Sequence, residues 1–456
     1  MKNSLALTIF FLSALLLSNR CSSPGDKYDI KFVLQIDEAD IIRDLAANSR
    51  DTTFLKAIAL ARQKQINSQK AFVELFGEVF SEIDPDARLA SIFATRDRRH
   101  LIDFNSTNDE VIKVITDEYQ KSIDITNDVL LQRIDNFGIK KSKRHLEIID
   151  NKIHITIKSL TEDNDGTRLA RIRNLLTTPG QIEFWETYEN SEIFPYLQNV
   201  NKMLRESLDQ EVVLKDSQSK ITENYINPAE NENGEQELSL LDQLEEDNIA
   251  ENTTDNTHNE FITENPLFGI LQPNVTSQGS FVPGAGIGFT HYNDRDKIDE
   301  YLQNEHVKDI LPGDVRFLWA MNPFDENEDY YMLYAIRVTG RNDRAPLDGS
   351  VITNASVDFD KASGSANILM EMNSDGARIW SRLTRENIDK AIAIVFDGNV
   401  VSAPTVSEEI PIGRSTISGN FSYTDAEDLA NILNSMGGRK IAGKLKIEME
   451  QIVKAE

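Results

Sequence analysis

The chain has 456 residues, and its 75 acidic residues outnumber its 48 lysines and arginines, so the formal net charge is −27. With 40% apolar and 27% charged residues, it has the composition of a globular protein of roughly two to four domains. The negative charge argues against nucleic-acid binding and against binding of the folded body to anionic lipid, because both require clustered Lys and Arg.

The chain contains one cysteine, Cys21, which follows its only long apolar run. The sequence after this run therefore predicts no disulfide, no thiolate metal site and no cysteine nucleophile. The six histidines show neither H-x-x-x-H nor H-x-x-E-H spacing, so a histidine metal site is not predicted either. No cofactor is expected.

Residues 1–21 have the pattern of an export signal. Lys2 supplies a positive charge, and residues 5–17 form a 13-residue apolar core. A membrane-spanning helix needs about 20 such residues, so this core is typical of a signal peptide. Cys21 resembles the lipid-acceptor cysteine of bacterial lipoproteins, although Asn19 and Arg20 stand where small residues are usual. A lipid anchor at Cys21, a cleaved soluble signal and an uncleaved short anchor remain open, and each exports the body of the protein.

The region before the middle of the chain is predicted to contain helices and a sheet. Residues 22–104 form an N-terminal helical region, since their apolar residues recur at helical spacing. Residues 105–190 then give the order α-β-β-α-β, in which a capping box at Thr107 starts a long helix and Asp150-Asn151 turns a hairpin. This order is most of a split βαβ, or ferredoxin-like, unit.

Residues 206–264 form an acidic linker with 17 acidic and two basic residues. Their few aromatic residues cannot bury enough surface to offset the entropy of ordering, so most of the linker is predicted to be disordered. Four leucines in it could form one amphipathic turn, namely Leu238, Leu240, Leu241 and Leu244. A solvated spacer and a docking motif both remain open for this segment.

Residues 391–453 are predicted to complete the sheet that begins before the linker, with Asp397-Gly398 as a hairpin turn. The predicted fold is therefore α+β, with a discontinuous ferredoxin-like (split βαβ) base made of residues 105–190 and 391–453. An α+β head, residues 265–390, is inserted into this base, and the N-terminal helices pack beside it.

Short motifs on both sides of the linker occur in the same order as in one protein family. Residues 391–430 and the runs at 133–138 and 182–186 resemble the periplasmic domain of SecD, the accessory subunit of bacterial protein translocase. The runs at 265–268, 316–319 and 344–347 look like the fused SecDF proteins of Bacteroidetes-type bacteria. The positions that match the family motif in the C-terminal block are Asp397, Gly398, Ser402, Pro404, Gly413, Arg414, Gly419, Asn420 and Phe421.

The resemblance implies a ferredoxin-like base and a mobile inserted head that contacts polypeptide emerging from the channel. The expected contact residues in the head are Phe359, Ile368, Met370 and Met372, with the alternative that these side chains belong to its core. The expected hinges are Arg344, Ala345, Pro346, Asn387, Ile388 and Asp389.

The sequence also departs from the family. Asp29-Ile30-Lys31 matches the start of a SecD motif whose two following glycines are missing here. The further membrane helices of SecD and the SecF half have no counterpart in this sequence. Because an intramembrane carboxylate needs a membrane helix to hold it, the proton-coupled motor activity of the family is not expected.

The function that these patterns favour is a non-catalytic, envelope-exposed accessory of Sec-type protein export that binds translocating or unfolded polypeptide. The alternative is an envelope scaffold or interaction lipoprotein that kept the SecD fold without export activity. An enzyme is not predicted, since no convergent polar constellation is evident. The expected partners are translocating polypeptides and the SecYEG/SecDF translocase in the membrane, with no nucleic acid and no small-molecule substrate. The expected location is the periplasm-facing cell envelope, anchored through an N-terminal lipid or an uncleaved signal.

Overall fold

The computed structural model describes residues 27–95, 98–161, 166–219, 261–276, 278–324, 329–339, 343–359, 366–437, 439, 441 and 443–455. The predicted signal segment with Cys21 and residues 220–260 of the predicted linker lie outside them. The side chains of residues 208–219 and of Asn420 lie outside them as well.

The described chain contains both helices and strands. The helices are α1 (Glu38–Leu45), α2 (Thr52–Gln65), α3 (Phe72–Ile83), α4 (Ala90–Phe93), α5 (Asn108–Asn136), α6 (Arg168–Thr177), α7 (Asn190–Ser219), α8 (Arg295–Gln303), α9 (Glu305–Lys308), α10 (Ser374–Glu386) and α11 (Tyr423–Met436). The strands are β1 (Lys27–Ile36), β2 (Arg144–Ile149), β3 (Lys152–Thr161), β4 (Ile182–Glu186), β5 (Gln272–Pro273), β6 (Gly286–His291), β7 (Val315–Trp319), β8 (Tyr330–Arg337), β9 (Leu347–Asp348), β10 (Ile352–Phe359), β11 (Ala366–Met372), β12 (Ile392–Phe396), β13 (Asn399–Ser402), β14 (Arg414–Phe421) and β15 (Leu445–Lys454).

The terminal sheet joins the two ends of the described chain in the antiparallel order β15-β1-β3-β2. Helices α1 to α6 contribute to the hydrophobic core beneath it, in which Phe54, Phe76 and Phe93 pack edge to face. The predicted capping box is confirmed, since Thr107 and Glu110 cap the start of α5 reciprocally. The 29 residues of α5 span this core.

Two further sheets pack face to face. The central sheet has the order β13-β12-β4-β9, and the flanking sheet has the order β5-β6-β8-β7. Two backbone bridges, Thr187–Ile336 and Ala320–Val400, link the two sheets. A small core with Trp185 at its centre, which is fully buried, fills the space between them.

The third unit is a three-stranded sheet with the order β10-β11-β14, covered on one face by α10 and α11. Its core is continuous with residues of β4 and β12 from the central sheet. The predicted boundary between residues 390 and 391 therefore cuts through one hydrophobic core.

The α+β class is confirmed, but the ferredoxin-like arrangement is not. Strands β2 and β3 pair within the terminal sheet, whereas β4 leaves that sheet and pairs with β12. Residues 22–104 were predicted to be helical. Their described part begins instead with strand β1, which lies between β15 and β3 in the terminal sheet. The segments before and after the linker do fold together, although they share several sheets instead of one.

A buried arginine connects these units. Arg133 on α5 is fully buried, and its guanidinium donates hydrogen bonds to the backbone carbonyls of Leu175, Thr178 and Pro179 and to the hydroxyl of Ser435 on α11. Burial lowers the pKa of Arg133 to about 10, so the side chain is still charged at neutral pH. A buried charge is costly unless its polar groups are hydrogen-bonded, and these contacts supply the hydrogen bonds.

We expect Arg133→Met to lower the free energy of unfolding by about 3–5 kcal/mol, because the change removes the donors of several buried carbonyls. Urea unfolding followed by circular dichroism measures this change. Lys113→Met on the exposed face of the same helix is the matched control and should change stability little. Equal stabilities of the two variants would contradict the role assigned to Arg133.

Candidate functional site

Three of the four predicted contact residues are core residues. Ile368 and Met370 are 0% and 1% exposed, and Met372 is 9% exposed. These side chains share the face of β11 that α10 and α11 cover, because side chains two residues apart point to the same side of a strand. This placement corrects the prediction that they meet a polypeptide at the surface and agrees with the alternative that they are core.

The open face of the same sheet is mainly polar. Phe359 at the end of β10 pairs with Ala366 and so lies on the covered face, where its ring packs edge to face against Tyr423 and stays 38% exposed. Leu369 is 42% exposed, but its cross-strand neighbours are Ser356 and Thr416. The open face therefore offers Leu369 as an isolated apolar side chain and no continuous apolar surface.

The predicted hinge at residues 387–389 is held by several contacts. Asn387 is buried and its side-chain amide donates to Glu186 and to the Leu383 carbonyl. Ile388 forms a backbone bridge with Val406, and the Asp389 amide donates to the carbonyl of the same residue. A rotation at this point would have to break these bonds.

The other predicted hinge, Arg344-Ala345-Pro346, leads directly into β9. The side chain of Ala345 packs against the core between the central and flanking sheets. Both hinges remain predictions.

The first part of the family motif forms a tight turn that binds a neighbouring loop. Asp397 and Gly398 have φ angles of 47° and 85° between the antiparallel strands β12 and β13, as the left-handed turn of a hairpin requires. The Asp397 carboxylate accepts hydrogen bonds from the backbone amides of Gly180 and Gln181, at 3.1 and 2.7 Å. Burial raises the pKa of Asp397, and these two bonds and Arg133 oppose that rise.

The next motif residues serve packing and strand pairing. Gly413 has a φ of 62°, and a Cβ at this position would lie 2.6 Å from the Cβ of Ala377. Arg414 forms an ion pair of 3.0 Å with Glu371 across the β11–β14 pair. Each of these residues supports the three-stranded sheet, and none of them opens a pocket.

The remaining motif residues have similar surroundings. The ring of Phe421, which is buried, lies over Gly419, where a Cβ would approach it to 2.9 Å. The Pro404 carbonyl accepts a hydrogen bond from the Ile392 amide. The buried Ser402 hydroxyl has no hydrogen-bond partner within the described part of the chain. The motif therefore builds the scaffold, apart from Asn420, whose side chain is outside the described set.

A different part of the molecule carries an open apolar surface. We call it the Met–aromatic surface and define it by Phe289, Met321, Phe324, Tyr330 and Met332. Phe289 and Met332 are cross-strand partners on β6 and β8, and the ring of Phe324 lies 5.4 Å from that of Phe289. Phe324 and Met321 are 68% and 40% exposed. Adaptable thioethers beside aromatic rings are typical of surfaces that accept varied apolar partners.

Local backbone contacts explain why this surface is open. At the described ends of the β7–β8 connection, the Phe324 amide donates to the Tyr330 carbonyl and the Met321 amide donates to the Val400 carbonyl. Farther along β8, Tyr334 and Ile336 on the same face are covered by the central sheet. Gly286 leaves room for Met332, whose Sδ would lie 2.8 Å from a Cβ at that position. The central sheet therefore covers one end of this face and leaves the other uncovered.

The sequence contained a partial signal for this surface. The run from Tyr331 to Val338 predicts a strand, and Phe317, Trp319 and Phe324 mark an aromatic-rich neighbourhood. The sequence does not show where the covering sheet ends, so this exposed surface was missed.

No group of three or more His, Cys, Asp or Glu side chains in the described ranges is arranged to hold a metal ion. Among the helices of the described chain, none is both long and apolar enough to cross a bilayer.

Comparisons with known proteins give a consistent picture. Residues 333–437 match the family model described as the SecDF P1 head subdomain. The chain is 28% identical over 395 residues to the protein translocase subunit SecD of Rhodothermus marinus, which covers 87% of this chain and 57% of that protein. It is 44% identical over 99 residues to the SecD of Sebaldella termitidis, over 21% of this chain and 24% of that protein. The chain thus spans little more than half of the first of these relatives and about a quarter of the second.

A solved structure of SecDF, titled as a membrane component that enhances protein export, aligns with 74% of this chain and 94% of its own chain. Its sequence identity is 17% and its TM-score is 0.34.

We expect Asp397→Ala to lower the free energy of unfolding by about 1–3 kcal/mol, because the amides of Gly180, which is buried, and Gln181, which is half-buried, lose their acceptor. Asp397→Asn keeps one acceptor oxygen and tolerates a positive φ, so its loss should be smaller. Asp358→Ala, at an exposed strand position, is the control, and urea unfolding compares the three. A stable Asp397→Ala variant would show that the turn does not depend on this carboxylate.

Proposed function

We propose, from the relationship to SecD and SecDF that the motifs predicted and the matches confirm, that this protein is an extracytoplasmic accessory of Sec-type protein export. In this role it binds translocating or unfolded polypeptide and has no catalytic activity of its own. The partners that this role implies are the exported chains and the membrane translocase. The cell envelope is the corresponding location, reached through the export signal predicted at residues 1–21.

The observation that carries polypeptide binding is the Met–aromatic surface. An unfolded chain presents apolar side chains of many shapes, and methionine side chains adapt to such partners more easily than branched ones. Phe324 is 68% exposed, so contact with an apolar segment would remove a large apolar area from water, which is favourable. The surface lies on the flanking sheet and requires no prior opening of the core.

The alternative is a scaffold role in the envelope, in which the same surface binds one folded partner. The two functions differ in the number and the folded state of the proteins captured. A surface that binds unfolded chains contacts many exported proteins, whereas a scaffold contacts one.

We expect a photo-crosslinking amino acid at Phe324 or Met321 to capture many exported polypeptides in living cells. The same amino acid at Leu369 is the matched control, since this residue has similar exposure to Met321 on a mainly polar face. Capture of a single folded protein would favour the scaffold. Equal capture at Leu369 and Phe324 would contradict the surface assignment.

A binding measurement in solution complements the crosslinking. It compares the affinity of the full chain and its variants for a reduced, alkylated protein that cannot fold. We expect Phe324→Ser to weaken its binding about ten-fold, as the loss of one aromatic contact is on the order of 1–2 kcal/mol. Leu369→Ser should leave binding unchanged, and circular dichroism confirms that both variants fold.

A further inference from the structure

A cavity lies in the lobe built around the flanking sheet. It has a volume of about 530 Å³ and is bounded by α8, α9, the start of β7 and the loop that carries Arg50. Its apolar lining includes Leu302, Leu311 and Phe317, and its cationic lining consists of Arg50, Lys308 and Arg316. We call this cavity the basic cleft.

The charge of the cleft is opposite to that of the molecule. Within the described ranges, neither Lys308 nor Arg316 has an ion pair with a carboxylate, and the Arg316 guanidinium lies 5.2 Å from the centroid of the Trp185 ring. Arg50 is paired with Asp343. The carboxylate that lines the cleft, Asp299, accepts a hydrogen bond from the Trp319 indole. Two cations without carboxylate partners beside apolar side chains suit a ligand that is both acidic and apolar.

One segment of this chain has that chemistry. Residues 237–247 read ELSLLDQLEED and contain five acidic residues and four leucines, and residues 221–260 contain no lysine or arginine. We call residues 237–247 the acidic leucine segment. Its leucines match the apolar lining of the cleft and its carboxylates match the cationic lining.

The chain enters and leaves this segment in the lobe that contains the cleft. Leu204 of α7, which precedes it, and Leu267, which follows it, belong to one core with Leu302 and Leu311 of the cleft. Seventeen residues separate Ser219 from the segment, and thirteen separate the segment from Phe261. At about 3.3 Å per residue, each of these connections can span tens of ångströms. A tethered ligand also has an effective concentration that a free peptide seldom reaches.

We propose that the basic cleft is the docking site of the acidic leucine segment of the same chain. The carboxylates of the segment face Lys308 and Arg316, and its leucines contact the apolar wall. This inference does not depend on polypeptide binding at the Met–aromatic surface, because it uses different residues.

Disulfide trapping in the full chain tests this docking. In a Cys21→Ser background, Ser239→Cys is combined with Gln303→Cys, which is an exposed position in the lining of the cleft. The control pair combines Ser239→Cys with Thr416→Cys, an exposed position on the three-stranded sheet. We expect the cleft pair to form an internal disulfide faster than the control pair.

Charge reversal distinguishes docking from random collision. Lys308→Glu and Arg316→Glu should each slow trapping by about two- to five-fold, the size expected for a partly exposed ion pair. Glu245→Gln with Glu246→Gln should act in the same direction, and so should salt at about 0.5 M, which screens such pairs. Lys308 is exposed, so its variant keeps the test valid if Arg316→Glu impairs folding.

Equal trapping rates for the cleft and control pairs would overturn the proposal. Trapping that is insensitive to both charge reversals would overturn it as well. A covalent dimer in place of the internal disulfide would assign the cleft to a second copy, and it too would overturn docking within one chain.

Discussion

The fold depends on one buried guanidinium and the loop that surrounds it. The carbonyls of Thr178 and Pro179 face Arg133, and the amides of Gly180 and Gln181 face the carboxylate of Asp397. The loop thus gives the guanidinium and the carboxylate a separate set of hydrogen bonds each. It also keeps Arg133 and Asp397 close enough to attract each other. Since Arg133 and Ser435 are 302 positions apart, this arrangement forms only when the segments before and after the acidic linker come together. A chain lacking either segment would leave a buried charge without partners, which is strongly destabilising.

Local signals in the sequence were sufficient to predict individual caps and turns. They were not sufficient to predict which strands pair. The capping box at Thr107 and the turns at Asp150-Asn151 and Asp397-Gly398 depend on residues near in sequence, and each is found where it was predicted. Strand pairing uses backbone groups that are identical in every residue, so the sequence did not show that β4 would pair with β12 and not with β3. Strand β1 was missed for a related reason: it is buried on both faces at Phe32, Val33 and Leu34, so it lacks the alternation that marks a half-buried strand.

The candidate site shows the same division between local pattern and tertiary placement. The alternation along β11 separates Ile368, Met370 and Met372 from Leu369, and this much follows from the sequence. Which of the two faces is open depends on α10 and α11, which lie on one side of the sheet. The same holds for β8, where the central sheet covers Ile336 and leaves Met332 partly open. Whether such a surface is exposed depends on how the layers pack together. The motif residues identify only the scaffold that holds the surface.

The position of the Met–aromatic surface relative to the family match has a consequence for function. Its five defining residues all precede residue 333, where the match to the SecDF P1 head begins, whereas Asp397 and Ser435 of the buried network lie within the match. The matched region therefore supplies the rigid support, and the region before it supplies the exposed apolar side chains. Strand β7 joins the two surfaces, since its first residues line the basic cleft and Met321 lies two residues beyond its last residue, Trp319. The basic cleft and the Met–aromatic surface therefore lie about 17 Å apart along this one strand and its continuation.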